Sequence, residues 1–421
     1  MPKIAIIGAG ITGVTTAYAL IRRGYDVTLI DRQRYAAMET SFANGGQLSA
    51  SNAEVWNSWG TVLKGLKWML SPDAPLLVNP KPSWHKYSWF AEFLANIPKY
   101  RQNTIETTKL AILARQAMFE IAEREGIEFN LEKRGILHVY RDKASFQHAE
   151  RVSQIYAAVG LERRPVTPQE IRSIEPALKG DFFGGFHTES DATGDIHLFT
   201  RGLAQVCQRL GCTTLTETQV MSVEALEGGV VLKLAPAGLR AAATDMKFDA
   251  TVICAGIGTR KLASTLGDRI NIYPVKGYSI TVALDDEASQ AGAPWVSLLD
   301  DAAKIVTSRL GRDRFRVAGT AEFNGDNMDI RNDRIQPLIK WIRSHFPEVA
   351  TSKVVPWAGL RPMTPSMLPK VGAGRLPGIY YNSGHGHLGW TLSCATAEVL
   401  SRTVAANVPD SRSANLDASE V

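Results

Sequence analysis

The stretch KIAIIGAGITGVTTAYALIRRGYDVTLIDRQ, residues 3–33, constrains the fold more than any other part of the chain. Ile4 to Ile21 carries no charge, a length that on hydropathy alone raises the question of a membrane span. Gly8, Gly10 and Gly13, with Thr12, Thr15 and Thr16, argue for a strand, a tight turn and a helix instead. Lys3 to Ile7 is a β-rich apolar run, suited to a strand covered on both faces. Gly8 permits the turn, Gly10 lets the backbone approach a pyrophosphate, and Gly13 lets the helix pack close to the strand. A helix over Thr15–Arg23, closed by Gly24, presents N–H groups and a positive dipole end to anionic phosphates. The second strand ends at Asp31, placed to accept hydrogen bonds from an adenosine ribose. A lone G-x-G-x-x-G is weak evidence. Here the strand, the helix and the acid stand at the right spacing, which favours a dinucleotide site over a ligand-free glycine-rich turn.

The next segment, RYAAMETSFANGGQLSAS, is rich in Gly, Ser and Asn and suits backbone hydrogen bonds to a flavin ribityl chain and ring. Far downstream, FDATVICAGIGTRKL reads as another buried strand ending in Gly256-x-Gly258. GIYYNSGHGHLGWTLSCATAEVLSRTV then supplies a strand, a glycine-rich turn and a last helix. A sheet built from the two ends and the middle of the chain points to FAD rather than NAD. The expected fold class is α/β (α+β overall), a Rossmann-like FAD-binding domain interrupted by a substrate domain of mixed sheet and helices. The expected division is 1–59, 196–262 and 354–421 for FAD, and 60–195 and 263–353 for substrate.

Between these segments, Glu106–Gly126 and Lys143–Val159 read as helices, and RGILHVYRD as a strand of alternating character. Thr167, Pro168 and Glu170 form a capping-box start. A helix ends near Gly211, two strands flank a Gly-Gly turn after it, YPVKGYSITVAL and RFRVAGTAEF are strands, and Arg331–Phe346 is a helix. The tail after Val408 is expected to fray. Five of the nine tryptophans lie in residues 56–100, interleaved with lysines and prolines. That stretch reads as a lid, as a peripheral membrane patch with Lys64, Lys67, Lys81 and Lys86 near headgroups, or as plain packing.

A net charge of +5, from 47 basic and 42 acidic residues without a basic stripe, gives no footprint for nucleic acid. Cys207, Cys212, Cys254 and Cys394 form no C-x-x-C pair or metal spacing, so reduced buried thiols and no metal site are expected, as in an intracellular protein. No signal peptide is recognised at the N-terminus.

The stretches IIGAGITGVTTAYAL, ETSFANGGQLSAS, LKWMLSPDAPL, EPAL, ATGDIHLFT, YPVKGYSITV, GLRPMTPSMLPKVG and NSGHGHLGWTLSCATAEVLS carry a resemblance that runs nearly end to end. The chain resembles the FAD-dependent D-amino-acid dehydrogenases of bacteria, within the D-amino-acid oxidase and glycine oxidase superfamily. The resemblance implies oxidation of a D-amino acid (or a cyclic D-imino acid) to an imine, then hydrolysis to a 2-oxo acid and ammonia. Electrons would pass to a quinone or respiratory acceptor, in the cytoplasm or peripherally at the inner membrane. Non-covalent FAD is expected, since no attachment signature stands out. Residues implied to hold it are Gly8, Ala9, Gly10, Ile11, Thr12, Gly13, Asp31, Arg32, Ser41, Asn44, Gly45, Gly46, Gln47, Leu48, Val220, Ala255, Gly256, Gly359, Gly386, His387, Leu388, Gly389, Trp390 and Thr391.

Arg361 matches the family arginine that grips the substrate carboxylate; a guanidinium fork fixes both distance and angle of such a group. The alternative is an internal ion pair, although no acid lies in WAGLRPMTPSMLPKVG. Tyr278 is a second candidate for the carboxylate or an aromatic wall, against a sheet tyrosine in the core. His385 shapes the pocket or contacts flavin, or is a structural turn histidine. The chain departs from the family pattern at SNAEVWNSWG, with Asn52 and Glu54, and at His387, which leaves substrate preference open. Glu54 favours a cationic side chain or simply sits on the surface. Competing classes are a glycine or sarcosine oxidase using oxygen, an NAD-dependent dehydrogenase and a flavin-binding scaffold.

Overall fold

Lys3–Ile7 lies at the centre of a six-stranded sheet, and the strands beside it come from all parts of the chain. In the computed structural model, which describes residues 1–68, 74–238 and 242–409, the order is Lys370–Ala373, Ile379–Ser383, Ala250–Ile253, Lys3–Ile7, Asp26–Ile30 and Thr213–Leu215. All neighbours are parallel except the first pair. Residues 69–73 of LKWMLSPDAPL, and the tail from 410 onward, lie outside the described residues.

Both faces of this sheet are covered, which is why its strands read as unbroken apolar runs. On one face, helices Ile11–Ile21, Tyr100–Glu125, Ile196–Arg209 and Gly389–Asn407 share a core that contains Ile4, Ile6, Val14, Met118, Phe199, Leu203 and Leu400. On the other face lies the three-stranded sheet of Thr218–Leu226, Gly229–Pro236 and Thr244–Phe248, with Val230 and Leu232 against Ala5 and Ile7.

A second, nine-stranded sheet runs Val354–Met363, Tyr273–Ala283, Arg314–Phe323, Ile305–Leu310, Ser297–Asp300, Ile136–Tyr140, Gly184–Thr188, Arg164–Val166, with Leu76–Val78 added beside Arg314–Phe323. One of its faces, with Tyr278, Ile280 and Val282, packs on Leu338, Trp341 and Ile342 of helix Asn332–His345. The other face meets the loop that follows Asp31. Ser279 donates to the Ala43 carbonyl (2.7 Å), Ser308 to the Gly45 carbonyl (2.7 Å) and Arg316 to the Asn44 carbonyl (3.3 Å).

The mixed α/β class expected from sequence is what the chain adopts, and the Thr167 capping box forms as expected. Several expectations change. The first helix starts at Ile11, directly after the glycine turn, and the long helix starts at Tyr100. Ile136–Tyr140 is buried at every residue rather than alternately, because it is an inner strand covered on both faces. Val354–Met363, grouped by sequence with the cofactor segments, pairs with Tyr273–Ala283 and belongs to the large sheet. Helix Tyr100–Glu125, grouped with the substrate segments, buries Ala114, Met118 and Ala122 in the core around Ile4.

Among glycines, Gly13 carries the tightest approach: a Cβ there would run into the Gly8 carbonyl oxygen. Gly13→Ala should force the helix off the strand, costing about 1–3 kcal/mol. The purified variant is expected to show a lowered urea midpoint and a reduced flavin content by absorbance; wild-type values for both would refute the close-packing role.

Candidate active site

The glycine turn opens a cavity of about 1690 Å³ that runs between the two sheets. That exceeds the ~300–1,000 Å³ of a typical small-ligand pocket and leaves room for a dinucleotide and a small substrate. At one end, Gly8 adopts φ +108°, and a Cβ there would stand 2.6 Å from the Cys254 carbonyl. Gly10 has only Ser41 Oγ near the same position, at 3.4 Å, so its outer side is open. Ser41 Oγ accepts the Ile11 N–H (3.0 Å), tying the following loop to the helix start. Asp31 accepts from Ala9 N–H (2.6 Å) and Gln33 N–H (2.7 Å), while burial pushes its carboxyl up against these stabilising bonds.

The loop from Ser41 to Ser51 forms the middle of the wall. Asn44 closes a turn by accepting the Gly46 N–H (2.9 Å), and Gly46 at φ +74° leaves no space for a side chain, since Ser308 Oγ lies 2.7 Å from its Cβ position. Gln47 donates to Ser297 Oγ (2.8 Å) and to the Leu298 carbonyl (3.0 Å). Asp191 fixes the end of the loop. It accepts Ala50 N–H (3.0 Å) and Ser51 N–H (3.1 Å) and is ion-paired with buried Arg115. This anchor was not singled out from sequence; its signal was the aspartate just before ATGDIHLFT.

Opposite, Gly386–Thr391 brings the start of the last helix to the cavity. No side chain caps that helix, and its first residues, Gly389 to Thr391, line the cavity. Thr391 Oγ1 accepts from Ser49 N–H and donates to the Gln47 carbonyl, both at 3.4 Å, joining the two walls.

Arg361 lies on Val354–Met363, with its guanidinium directly over Gly277, where a Cβ would collide with it. Among the described residues it has no hydrogen bond and no acidic partner; the internal ion pair is not formed. Burial alone lowers its pKa, to about 10, so it remains a full cation at working pH. A bridge between Met363 and His385 brings this turn to the strand of Arg361, and His387 lies close enough to feel the Arg361 charge. The His387 ring stacks on Trp56 (centroids 4.6 Å apart, planes 23° apart). The Asn52 backbone is close to the ring, but neither ring nitrogen has a partner at hydrogen-bond geometry. Burial first, and the Arg361 charge second, drive its pKa down to about 3, so it is neutral.

Farther along the wall stands Glu54, singled out from sequence, in a polar group whose other members were not. Glu54 accepts from the Tyr100 hydroxyl (2.6 Å) and contacts His148 Nε2 (3.1 Å), and its N–H donates to the Tyr156 hydroxyl (3.0 Å). Burial raises the Glu54 carboxyl, but the bonds to His148 and Tyr100 outweigh it and hold its pKa below the ordinary value. Beyond it, Arg163 donates to His138 Nδ1 (2.8 Å) and the Tyr140 hydroxyl (2.6 Å), with Ser51 on the other side of His138 (2.9 Å).

The cavity wall includes most of the residues named from sequence, among them Thr12, Arg32, Val220, Ala255, Gly256 and Gly359. Ala9, Gly13 and Leu48 lie behind it: Ala9 acts through Asp31, Gly13 packs on Gly8, and Leu48 is buried in the core. Trp390 turns its indole inward, onto Met118 sulfur (3.0 Å). Two of the three proposed catalytic side chains are not brought to Arg361. Tyr278 pairs with Ala358, whereas Arg361 pairs with Val275, so strand alternation sends the phenol to the opposite face. Its hydroxyl lies 3.4 Å from the Asp329 carbonyl. His385 points Nε2 at Thr396 Oγ1 (3.0 Å) inside the last helix, and burial lowers its pKa to about 3. The four thiols are free and buried, with burial pushing Cys254 and Cys394 up to about 12. No cluster of metal-ligating side chains occurs among the described residues.

A strand–glycine turn–helix with an acid at the end of the next strand, sharing one cavity with a guanidinium that has no acidic partner among the described residues, fits a dinucleotide-dependent oxidoreductase. Comparison narrows the class: residues 3–403 match the FAD dependent oxidoreductase family model, DAO, and the chain belongs to that family, with FAD as its cofactor. It is 61% identical over 409 residues (97% of this chain, 98% of the relative) to "D-amino acid dehydrogenase 3" of Mesorhizobium japonicum. It is 40% identical to the D-amino acid dehydrogenase of Paramagnetospirillum magneticum, covering 96% of this chain and 94% of that one. The fold matches L-proline dehydrogenase from P. horikoshii (TM-score 0.75, 16% identity, 96% and 93% covered) and glycine oxidase from Bacillus cereus (0.73, 18%, 98% and 99%).

The position of Tyr278 leads to a specific expectation. Tyr278→Phe should leave KM within about twofold of wild type and lower stability by about 1 kcal/mol, the usual loss for one hydrogen bond. A large rise in KM with unchanged urea stability would return the phenol to the binding site.

Proposed function

We propose that the chain is an FAD-dependent D-amino-acid dehydrogenase, with cyclic D-imino acids within its range. Relatives at 61% and 40% identity that carry this activity in their names support the reading. The observation that carries it is Arg361, a buried cation without a counter-ion in a cavity built for a dinucleotide. The turn at Gly8 and Gly10, Asp31, the Ser41–Gln47 loop and the first N–H groups of the last helix would hold FAD, non-covalently. Bound there, FAD supplies the two-electron acceptor.

Arg361 grips the substrate carboxylate in a bidentate pair and fixes the direction of the Cα–H bond. Neutral His387 and Trp56 wall the same space and keep the pair dry, which strengthens it. The substrate loses Cα–H with its electron pair and a proton from its amine. Water then converts the imine of a primary amine to a 2-oxo acid and ammonia, whereas a cyclic imine keeps its nitrogen. Of the described residues, segments 1–59, 196–238, 242–262 and 364–409 would hold the cofactor, and the large sheet, including Val354–Met363, would hold the substrate.

The acceptor we propose is a quinone reached at a membrane surface. No helix among the described residues is long and apolar enough to cross a membrane. Helix Trp59–Trp68, however, buries none of its residues and exposes Trp59 (62%), Leu63 (65%) and Leu66 (58%) beside Lys64 and Lys67. Trp84 is 84% exposed, and Thr61, Lys64, Trp68 and Trp84 line the cavity. Trp89 has a different role, packed between Phe93 and Phe323.

Anaerobic mixing with single D- and L-amino acids should bleach the flavin with D-substrates alone; bleaching by none of them would sink the reading. Arg361→Ala should lower kcat/KM by roughly a hundred- to a thousandfold, the loss expected when a buried ion pair is left one-sided. Normal turnover in that variant would remove the clamp. Vesicles with anionic lipid should float the wild-type protein, and Leu63→Glu with Leu66→Glu should abolish flotation. Absence of wild-type flotation excludes the membrane site.

A further inference from the structure

Glu54 has one carboxylate oxygen fully engaged and the other free. Oε1 takes the Tyr100 hydroxyl at 2.6 Å and lies 3.1 Å from His148 Nε2, while Oε2 has no partner among the described residues. The side chain is 30% exposed and lines the cavity. A carboxylate kept only to tie Tyr100 and His148 would have no reason to leave its second oxygen open in a ligand cavity. The group is also held rigidly, because Tyr156 accepts the Glu54 N–H and Thr107 donates to the Ala53 carbonyl (2.6 Å) one residue earlier. Preorganised acceptors of this kind set specificity: a partner that can donate gains a charge-assisted bond, and one that cannot leaves a desolvated charge.

Position along the chain indicates which part of a substrate would meet it. Residues 53–57 lie in no helix or strand; Ala53, Val55 and Asn57 are buried and Glu54 and Trp56 half-buried, and Glu54, Val55 and Trp56 line the cavity. Residues two apart in a chain lie at most roughly 7 Å from each other, Cα to Cα. Trp56 stacks on His387, which feels the Arg361 charge. Glu54 is therefore two residues along the cavity wall from the ring that covers this neighbour of Arg361. No carboxylate contributes to the Arg361 environment, which agrees with two poles too far apart to pair.

We propose that Glu54 is the side-chain subsite of this cavity, its free oxygen accepting a hydrogen bond from a hydroxyl or ammonium group on the substrate's side chain. This rests on Arg361 holding the α-carboxylate, as argued above. The α-amino group, only two bonds from the carboxylate carbon, stays near Arg361, and the donor that Glu54 meets is carried by the side chain or ring.

Matched substrate pairs that differ by one donor test this: D-norleucine against D-lysine, and D-proline against 4-hydroxy-D-proline, with an artificial dye as acceptor. In the wild type, kcat/KM should favour the donor-bearing member of at least one pair, and the pair that shows it tells ammonium from hydroxyl. Glu54→Gln should narrow that preference by roughly ten- to a hundredfold, the worth of a hydrogen bond to a charged group. Tyr100→Phe, which keeps the carboxylate but loosens it, should narrow it less and in the same direction. No preference in either wild-type pair, or a preference that survives Glu54→Gln, overturns the subsite. Absence of flavin reduction by all four substrates would instead overturn the functional reading beneath it.

Discussion

The parallel pairing of Ile4–Ile7 with Ala250–Ile253 is the contact on which the site depends. It joins segments 246 residues apart and fixes the Cys254 carbonyl against Gly8, so that the glycine turn has a floor. Ile379–Ser383 then adds in parallel beside Ala250–Ile253, which delivers Gly384–Thr391 to the same end of the sheet as Gly8–Gly13. In a parallel sheet, the loops that leave the carboxyl ends of the strands gather on one side. Once the order of strands is set, three distant loops must therefore meet at one crevice.

The second sheet supplies what the first lacks. Its inner face carries polar side chains, Ser279, Ser308 and Arg316, whose donors hold the carbonyls of Ala43, Gly45 and Asn44. Those bonds satisfy a buried irregular loop that would otherwise leave backbone acceptors unpaired. The buried Asp191–Arg115 pair does the same for the N–H groups of Ala50 and Ser51. With those loop groups so occupied, Arg361 stands out as a desolvated cation with no counter-ion among the described residues. Leaving a charge in that state is unfavourable in the folded chain, and the deficit becomes binding energy when an anion arrives.

Much of this was legible in the chain. The spacing of Gly8, Gly10, Gly13 and Asp31 specifies a local unit, in which Gly8 and Gly13 are required by close backbone contacts while Gly10 leaves its outer side open. Arg361 was legible for a different reason: a guanidinium flanked by Gly, Leu, Pro and Met has no local partner to claim it. Tyr278 and His385 line the cavity, but the Tyr278 hydroxyl and His385 Nε2 turn to Asp329 and Thr396 and not to Arg361. One step along a strand reverses the face, and no property of YPVKGYSITV tells which face carries the ligand. The Trp-rich segment shows the same limit, since Trp56, Trp59 and Trp89 end in a cavity wall, in solvent and in a core respectively.

By itself, then, the sequence determined the dinucleotide turn, the positions of most regular elements and the presence of an unclaimed guanidinium, because these follow from spacing and from local chemistry within a few residues. Only the tertiary structure decided that Val354–Met363 joins the nine-stranded sheet, that Asp191 anchors the Ser41–Ser51 loop, and that Glu54 and Trp56 line the cavity, Trp56 against His387. Each of these depends on register and on which face of an element is covered, and those are settled by pairing between segments far apart in the chain.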